Sequence, residues 1–102
     1  MKENVDEEEG AMTDAQIYQR DIDWIDLCEI MIADVTVPSL GVGYEIAYAR
    51  GLGKEVICIA HQSANVSAMI MGDSTLRTVS YKDAQDAIEI LDRLMISPQI
   101  ED

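Results

Sequence analysis

Two carboxylates, Asp21 and Glu45, stand at positions that plain packing does not explain. Asp21 follows Ile17 by four residues and precedes Trp24 by three, so helical spacing puts it near the middle of an apolar face. A carboxylate there is either bonded to nearby backbone or an arginine, or it is a site carboxylate with a tuned pKa. Glu45 is predicted in the first turn of a second helix, where it either simply complements the helix dipole or stays ionised as a nucleophile. Such a pair can cleave a glycosidic bond, with Asp21 managing the proton or orienting the sugar.

The turn before the second helix has features that suit an anion. Pro38 cannot donate to a sheet, so the preceding strand ends at or just before it. Gly41 and Gly43 let the backbone turn sharply and let a ligand approach closely. Ser39 and Gly41 are therefore candidate phosphate contacts through a hydroxyl and a backbone N–H, and Ser67 is a weaker candidate.

Hydrophobic periodicity predicts alternating helices and strands. Thr13 and Gln16 form a capping box that opens a helix over about 14–28. The apolar side of this helix is predicted to carry Ile17, Tyr18, Trp24, Ile25 and Cys28, with Ile22 and Leu27 at its margins. The later elements are predicted as strand 29–36, helix 42–52 stopped by Gly51 and Gly53, strand 54–60, short helix 67–72, strand 75–79 and helix 81–95 ended by Pro98.

Strand, helix and strand within about 30 residues indicate a right-handed parallel unit. The predicted fold class is α/β, a three-layer Rossmann-like or flavodoxin-like parallel sheet with about three strands and flanking helices. We expect an acidic tail or loop over residues 1–12, one α/β domain over residues 13–97 and a frayed end over residues 98–102.

Composition limits the classes of partner. The 20 acidic and 7 basic residues give a formal net charge of -13, which argues against a protein that coats nucleic acid. Cys28 and Cys58 show no metal-ligand spacing and are predicted as two buried thiols in a reducing cytoplasm. His61 is expected to be a surface or hydrogen-bonding residue rather than a catalyst. No cofactor, metal site or membrane span is predicted.

Three strings carry a resemblance to a known family. They are D-I-D-W at 21–24, A-D-V-T-V-P-S-L-G-V-G-Y-E at 33–45 and S-A-M-I at 67–70. The chain resembles the 2′-deoxynucleoside 5′-phosphate N-hydrolases of the nucleoside 2-deoxyribosyltransferase superfamily, from about Tyr18 to Met95. It has no counterpart of the strand, glycine loop, helix and strand with which that family begins. Without these elements, one sheet edge and one apolar face are left uncovered. We therefore expect a dimer or a rearranged sheet edge to cover them.

The resemblance implies a function and a set of site residues. It implies that Asp21 and Glu45 are catalytic, with Glu45 the nucleophile that takes the deoxyribosyl group before water releases it. It implies that Ser39 and Gly41 contact the substrate, and that Ser67 reaches the 5′-phosphate from the other subunit of a homodimer. The expected reaction converts deoxynucleoside 5′-monophosphates to free base and 2-deoxyribose 5-phosphate. The alternatives are deoxyribosyl transfer to another base, and a non-catalytic nucleotide-binding or dimerisation module.

Overall fold

The computed structural model describes residues 11–101, and the side chains of residues 11–95. Most of the acidic tail predicted over residues 1–12 lies outside this range. Within it, the elements in chain order are α1 (Asp14–Leu27), β1 (Ile30–Asp34), α2 (Leu40–Gly51), β2 (Glu55–His61), α3 (Ala68–Met71), β3 (Arg77–Tyr81) and α4 (Ala84–Glu101). The order of helices and strands is the predicted one.

The three strands form a parallel sheet in the order β1-β2-β3. The register pairs Ala33 of β1 with Cys58 of β2, and both side chains are buried. They pack with Ile46 and Ala49 of α2, and with Ile25 of α1, in the main core cluster. The predicted α/β class, with a parallel sheet and flanking helices, is confirmed.

The first helix begins as predicted. The Thr13 hydroxyl accepts the N–H of Gln16 at 3.1 Å, and the Gln16 side chain accepts the N–H of Thr13 at 2.9 Å. This reciprocal pair is the predicted capping box, and it satisfies two donors that the helix itself cannot use.

The predicted apolar face of α1 is partly wrong. Ile22 and Ile25 are the buried residues of the helix, although Ile22 was expected only at the margin. Trp24 is 60% exposed and Leu27 is 82% exposed. The physical reason is that α1 packs mainly on α2, so only a narrow stripe of its surface is covered. The Trp24 ring instead lies under the guanidinium of Arg20, 4.7 Å from its centroid.

The start of α2 also differs from the prediction. The helix begins at Leu40 rather than near Val42, because the Ser39 hydroxyl accepts the Val42 N–H at 3.2 Å and caps it. Glu45 is consequently the sixth residue of the helix, and the first turn contains no acidic residue. The expectation that the helix dipole keeps Glu45 ionised is therefore wrong, because that effect fades beyond the first turn.

The end of α2 follows its glycine signals. Gly53 has a φ of 79°, which a residue with a side chain rarely adopts. Its N–H donates to the Arg50 carbonyl at 2.9 Å, and the Lys54 N–H donates to the Ala49 carbonyl at 3.1 Å. These two bonds form a Schellman motif, which satisfies the last carbonyls of the helix.

The last helix differs from the prediction at both ends. It begins at Ala84 rather than Tyr81, because Tyr81 is the last residue of β3. The Asp83 carboxylate accepts the Asp86 N–H at 2.8 Å and so caps the helix. The helix then runs to Glu101, so the prediction that Pro98 ends it is wrong. A proline removes one backbone donor, which a helix can lose without ending there.

The cysteines are free thiols, and Cys58 is fully buried while Cys28 is half-buried. Burial raises the pKa of Cys58, and the charge of Asp73 adds to this effect, so the protonated thiol is favoured over the reactive thiolate. The cytoplasmic location stays a prediction. Among residues 11–101, no helix has both the length and the apolar character required to cross a bilayer.

Candidate active site between the first two helices

The carboxyl groups of Asp21 and Glu45 meet between α1 and α2. They come from different helices and are 24 positions apart in the sequence, yet they are close enough for the charge of Asp21 to act on Glu45. Both residues are half-buried, and both line the same cavity. The arrangement places a second negative charge beside Glu45, which favours the protonated form of Glu45.

The surroundings of Glu45 favour its protonated form. Burial raises the pKa of Glu45, and the hydrogen bond and negative charge of Asp21 raise it further, whereas the positive charge of Arg20 lowers it. The direction is the opposite of the one that a first-turn position would produce. Two carboxyl groups in one partly desolvated place are the physical cause.

Arg20 supplies the nearest positive charge. Its Nε and Nη2 atoms each lie 3.0 Å from Asp21 Oδ1. The guanidinium is held from the other side by the face of the Trp24 ring. Asp21 is therefore paired with an arginine, which was one of the two alternatives for this residue. It also lines the cavity, so the two alternatives do not exclude each other.

The cavity between α1 and α2 has a volume of about 440 Å³. Its lining residues are Asp14, Ile17, Tyr18, Asp21, Ile22, Leu40, Gly41, Tyr44 and Glu45. The hydroxyls of Tyr18 and Tyr44 lie 3.3 Å apart, and the two rings meet edge to face with centroids 6.0 Å apart. We name this space the carboxyl cavity.

Sequence reasoning missed the two tyrosines. Tyr18 precedes Asp21 by three residues in one helix, and Tyr44 adjoins Glu45 in the other. Helical spacing places residues three or four apart on one face, so Tyr18 was recoverable from the position of Asp21. The pattern alone treated Tyr18 as a core residue, although it is 49% exposed.

The carboxyl cavity reaches toward the beginnings of both helices. Tyr18 contacts Tyr44, and further along both helices Asp26 accepts the Tyr48 hydroxyl at 2.6 Å. The two helices therefore run in the same direction, with their N-termini at the same end. Gly41 in the first turn of α2 lines the cavity, so free backbone N–H groups lie near one side of it.

A second cavity lies on the other face of α2 and has a volume of about 740 Å³. Ser39 and Ser67 both line it, together with Arg50 and largely apolar residues, and we name it the apolar cavity. The predicted substrate contacts are thus divided, because Gly41 borders the carboxyl cavity and the two serines border the apolar one. Leu40 lines both cavities and marks the place where they adjoin.

His61 makes hydrogen bonds at the carboxyl end of β2. Its ring nitrogens contact the Ser63 hydroxyl at 2.7 Å and the Lys82 carbonyl at 3.0 Å. Neither His61 nor its partners line the carboxyl cavity. These contacts agree with the hydrogen-bonding role expected for this residue.

The fold and the cavity together define the class of protein. It is a parallel α/β protein that carries paired carboxyl groups between two helices beside the sheet. A family model described as nucleoside 2-deoxyribosyltransferase matches residues 1–92. The chain belongs to this nucleoside 2-deoxyribosyltransferase family. The match begins upstream of Tyr18, where the three quoted strings had placed the start of the resemblance, and it includes the acidic segment.

Named relatives agree with this family. A protein of Thermofilum pendens, named as a 2′-deoxynucleoside 5′-phosphate N-hydrolase, is 42% identical over 91 residues that cover 85% of this chain and 64% of its own. The 5-hydroxymethyl-dUMP N-hydrolase of Esox lucius is 42% identical over 77 residues, which cover 71% of this chain and 53% of its own. The chain thus spans between 53% and 64% of the length of these two curated relatives.

A solved structure is similar as well. The CMP N-glycosidase of Clostridium botulinum superposes with a TM-score of 0.73 at 28% identity. The alignment covers 88% of this chain and 84% of the other.

Proposed function

We propose that this chain hydrolyses the N-glycosidic bond of 2′-deoxynucleoside 5′-monophosphates, yielding free base and 2-deoxyribose 5-phosphate. The meeting of Asp21 and Glu45 in the carboxyl cavity carries this proposal. Paired carboxyl groups are the usual equipment for breaking a glycosidic bond. The relatives described above are named as N-hydrolases and an N-glycosidase of nucleotides, and they support the same reaction class.

We assign the nucleophile to Glu45. Its carboxylate forms a bond to the anomeric carbon, the bond to the base breaks, and the electron pair of that bond leaves with the base. Asp21 either donates the proton that the departing base takes up, or orients the sugar while water supplies that proton. Water then attacks the same carbon and releases Glu45, while its proton passes to the carboxyl pair.

The closeness of the two carboxyl groups supports a covalent intermediate. Single displacement needs a water between the pair, and such pairs lie about 6.5–9.5 Å apart. Asp21 and Glu45 line the same cavity, and the negative charge of Asp21 acts on Glu45, so the two are close neighbours. We favour double displacement through a glycosyl-enzyme, because its carboxyl pairs lie closer together, about 5–5.5 Å apart.

The position of the carboxyl pair along α2 favours a phosphorylated substrate. Glu45 lies four residues beyond Gly41, and a helix rises about 1.5 Å per residue, so about 6 Å separates their levels. This is comparable with the reach from the anomeric carbon of a furanose to its 5′-phosphate. An anomeric carbon at Glu45 therefore brings the phosphate to the backbone N–H of Gly41. The Ser39 hydroxyl, although it borders the other cavity, lies only 3.9 Å from the place that a Cβ atom of Gly41 would occupy, so the same phosphate can reach it.

We also propose a homodimer in which Ser67 acts across the interface. Ser67 borders the apolar cavity rather than the carboxyl cavity of its own chain. Leu40 is 96% exposed and Met69 is 82% exposed beside that cavity, and a second copy would cover them. Sedimentation of the purified chain tests the dimer, and a monomer at all concentrations would contradict it.

Release of free base from deoxynucleoside monophosphates tests the central claim. We expect Glu45→Gln to reduce the turnover rate about 10³-fold or more, because the nucleophile is lost. The matched control is Glu55→Gln, since Glu55 is an exposed glutamate whose 3.7 Å ion pair with Arg77 lies outside the cavity. Intact-mass analysis should detect a deoxyribose 5-phosphate adduct on Glu45. Equal rates in wild type and Glu45→Gln would contradict the assigned role.

A second candidate is deoxyribosyl transfer to another base, which the description of the matching family model favours. Both reactions use the same intermediate on Glu45 and differ only in what attacks it. Adding an acceptor base separates them, because a transferase makes a new nucleotide and a hydrolase makes only the sugar phosphate. Nucleotide binding without release of base would instead indicate the non-catalytic module.

A further inference from the structure

A hydrogen-bonded network joins the ends of the two outer strands. The Tyr81 hydroxyl at the end of β3 donates to Asp34 Oδ2 at the end of β1, with an O···O distance of 2.9 Å. The two residues are 47 positions apart in sequence, and β2 lies between their strands. The contact therefore spans the middle strand of the sheet.

Thr36 connects this bond to β2. Its hydroxyl donates to Asp34 Oδ1 at 2.6 Å, its backbone N–H donates to the same atom at 2.9 Å, and its Oγ1 accepts the His61 N–H at 3.0 Å. Tyr81 Oη lies 3.2 Å from Thr36 Oγ1, but each hydroxyl has only one hydrogen and both are used on Asp34. Asp34 is thus the acceptor at the centre of the network.

The charge of Asp34 strengthens the network. Burial raises the pKa of Asp34, but the donors from Thr36 and Tyr81 outweigh that effect and hold the pKa below its ordinary value. The carboxylate is therefore ionised at neutral pH. Hydrogen bonds to an ionised acceptor are shorter and stronger than neutral ones.

The network anchors a turn that has little other support. Val37 directly follows Thr36 and is 72% exposed, and Leu40 at the start of α2 is 96% exposed. Residues 37–40 are all exposed, so no large side chain of this segment is buried in the core. What holds the turn is the Thr36 anchor on one side and the Ser39 cap of α2 on the other.

We propose that Tyr81 and Asp34 are positioning residues that fix the turn 37–41 in the conformation that receives the substrate phosphate. This inference rests on the proposed function, which assigns the phosphate to Ser39 and Gly41. Tyr81 lines none of the space around the carboxyl pair and so acts through the turn. The network connects the ends of all three strands to the loop that contains the turn, and we infer the positioning role from this connection.

Tyr81→Phe tests the proposal by removing only the hydroxyl. The matched control is Tyr48→Phe, which removes a tyrosine hydroxyl that also donates to a carboxylate, Asp26, at 2.6 Å but lies away from the turn. For Tyr81→Phe we expect KM for a deoxynucleoside monophosphate to rise about 10-fold with kcat nearly unchanged. A tenfold change in affinity corresponds to about 1.4 kcal/mol of binding free energy, which is the size expected for the loss of one hydrogen bond that holds the turn. Amide hydrogen exchange at Thr36 and His61 should become faster. The control should change neither quantity.

Titration with inorganic phosphate, followed through the amide signals of 39–41, separates the two proposals. If the wild type binds phosphate at the turn without releasing base, the proposed function fails and the positioning role stands. If Tyr81→Phe retains wild-type phosphate affinity and KM, the positioning role fails, whatever the activity. Unchanged exchange at Thr36 in this variant would also overturn it, because the anchor would then not depend on Tyr81.

Discussion

Each of the two cavities beside α2 contains one acidic side chain with a shifted pKa, and the two shifts have opposite directions. In the carboxyl cavity two acids, Asp21 and Glu45, share the neighbourhood of one arginine, and the pKa of Glu45 is raised by burial and by Asp21. At the apolar cavity one acid, Asp73, has an arginine of its own, Arg50, with 2.6 Å between Nε and Oδ2. There the pKa of Asp73 is lowered, first by the hydroxyl and backbone N–H of Thr75 and then by Arg50.

This difference indicates where proton chemistry is possible. A carboxyl group whose pKa is lowered is less suited to proton transfer than one whose pKa is raised toward the working pH. The carboxyl cavity therefore has the properties of a reaction site. The apolar cavity, with its exposed Leu40 and Met69, has the properties of a surface that binds or is covered.

The sharpest way to break this comparison is to remove one acid from each side. We expect Asp21→Asn to lower kcat about 10²- to 10⁴-fold, the range for loss of a general acid or base. The matched variant Asp73→Asn should leave kcat within a factor of about three, because Asp73 serves an ion pair outside the reaction site. Steady-state release of base measures both. A comparable loss of kcat in the two variants would remove the distinction between the cavities.

The pH dependence of kcat/KM sharpens the same comparison. Glu45 must be ionised to attack, so activity should fall as the pH drops through its raised pKa. Asp21→Asn removes a negative charge and a hydrogen bond that raise this pKa, so the acid limb of the residual activity should move to lower pH. Asp73→Asn should leave the acid limb in place. A limb that moves to higher pH in Asp21→Asn would show that Asp21 does not raise the pKa of Glu45.

The two serines at the apolar cavity are expected to differ. Ser39→Ala removes the cap of the twelve-residue helix α2, and loss of such a cap costs about 1 kcal/mol of unfolding free energy. It should also raise KM, because the phosphate loses a hydroxyl contact. Ser67 caps only the single turn of α3, so Ser67→Ala should have little effect on stability. Urea unfolding measures the first effect, and equal destabilisation by both changes would contradict the assignment of Ser39.

The smallest expected effect concerns Gly51 and Gly53 at the end of α2, neither of which lines either cavity. Gly53→Ala should lower the free energy of unfolding by about 1 kcal/mol, because its φ of 79° strains a residue with a Cβ atom. Gly51→Ala is the control, since it lies inside the helix with nothing within 4 Å of a Cβ and should stabilise by about 0.5 kcal/mol. Both variants should keep wild-type KM. A changed KM would mean that this end of α2 communicates with the site.

Structural features that depend on a single local signal were predicted correctly, whereas those that depend on two competing signals were not. The Thr13–Gln16 capping box depends on residues three apart, so the sequence was sufficient to identify it. The start of α2 involved a choice between a serine cap and two glycines, and Ser39 prevailed because its hydroxyl satisfies a free N–H. That shift of a few residues moved Glu45 out of the first turn and reversed the expected influence on its pKa.

By itself, the sequence determined the order of helices and strands, the parallel pairing and the two acids that had no packing role, because hydrophobic period and caps act over a few residues. Only the tertiary structure decided that Asp21 and Glu45 line one cavity, and that Tyr81 is hydrogen-bonded to Asp34 across the sheet. It also decided that Ser39 and Gly41 face different cavities. The physical reason is that the environment of a charge depends on neighbours from distant segments, which periodicity along the chain does not specify.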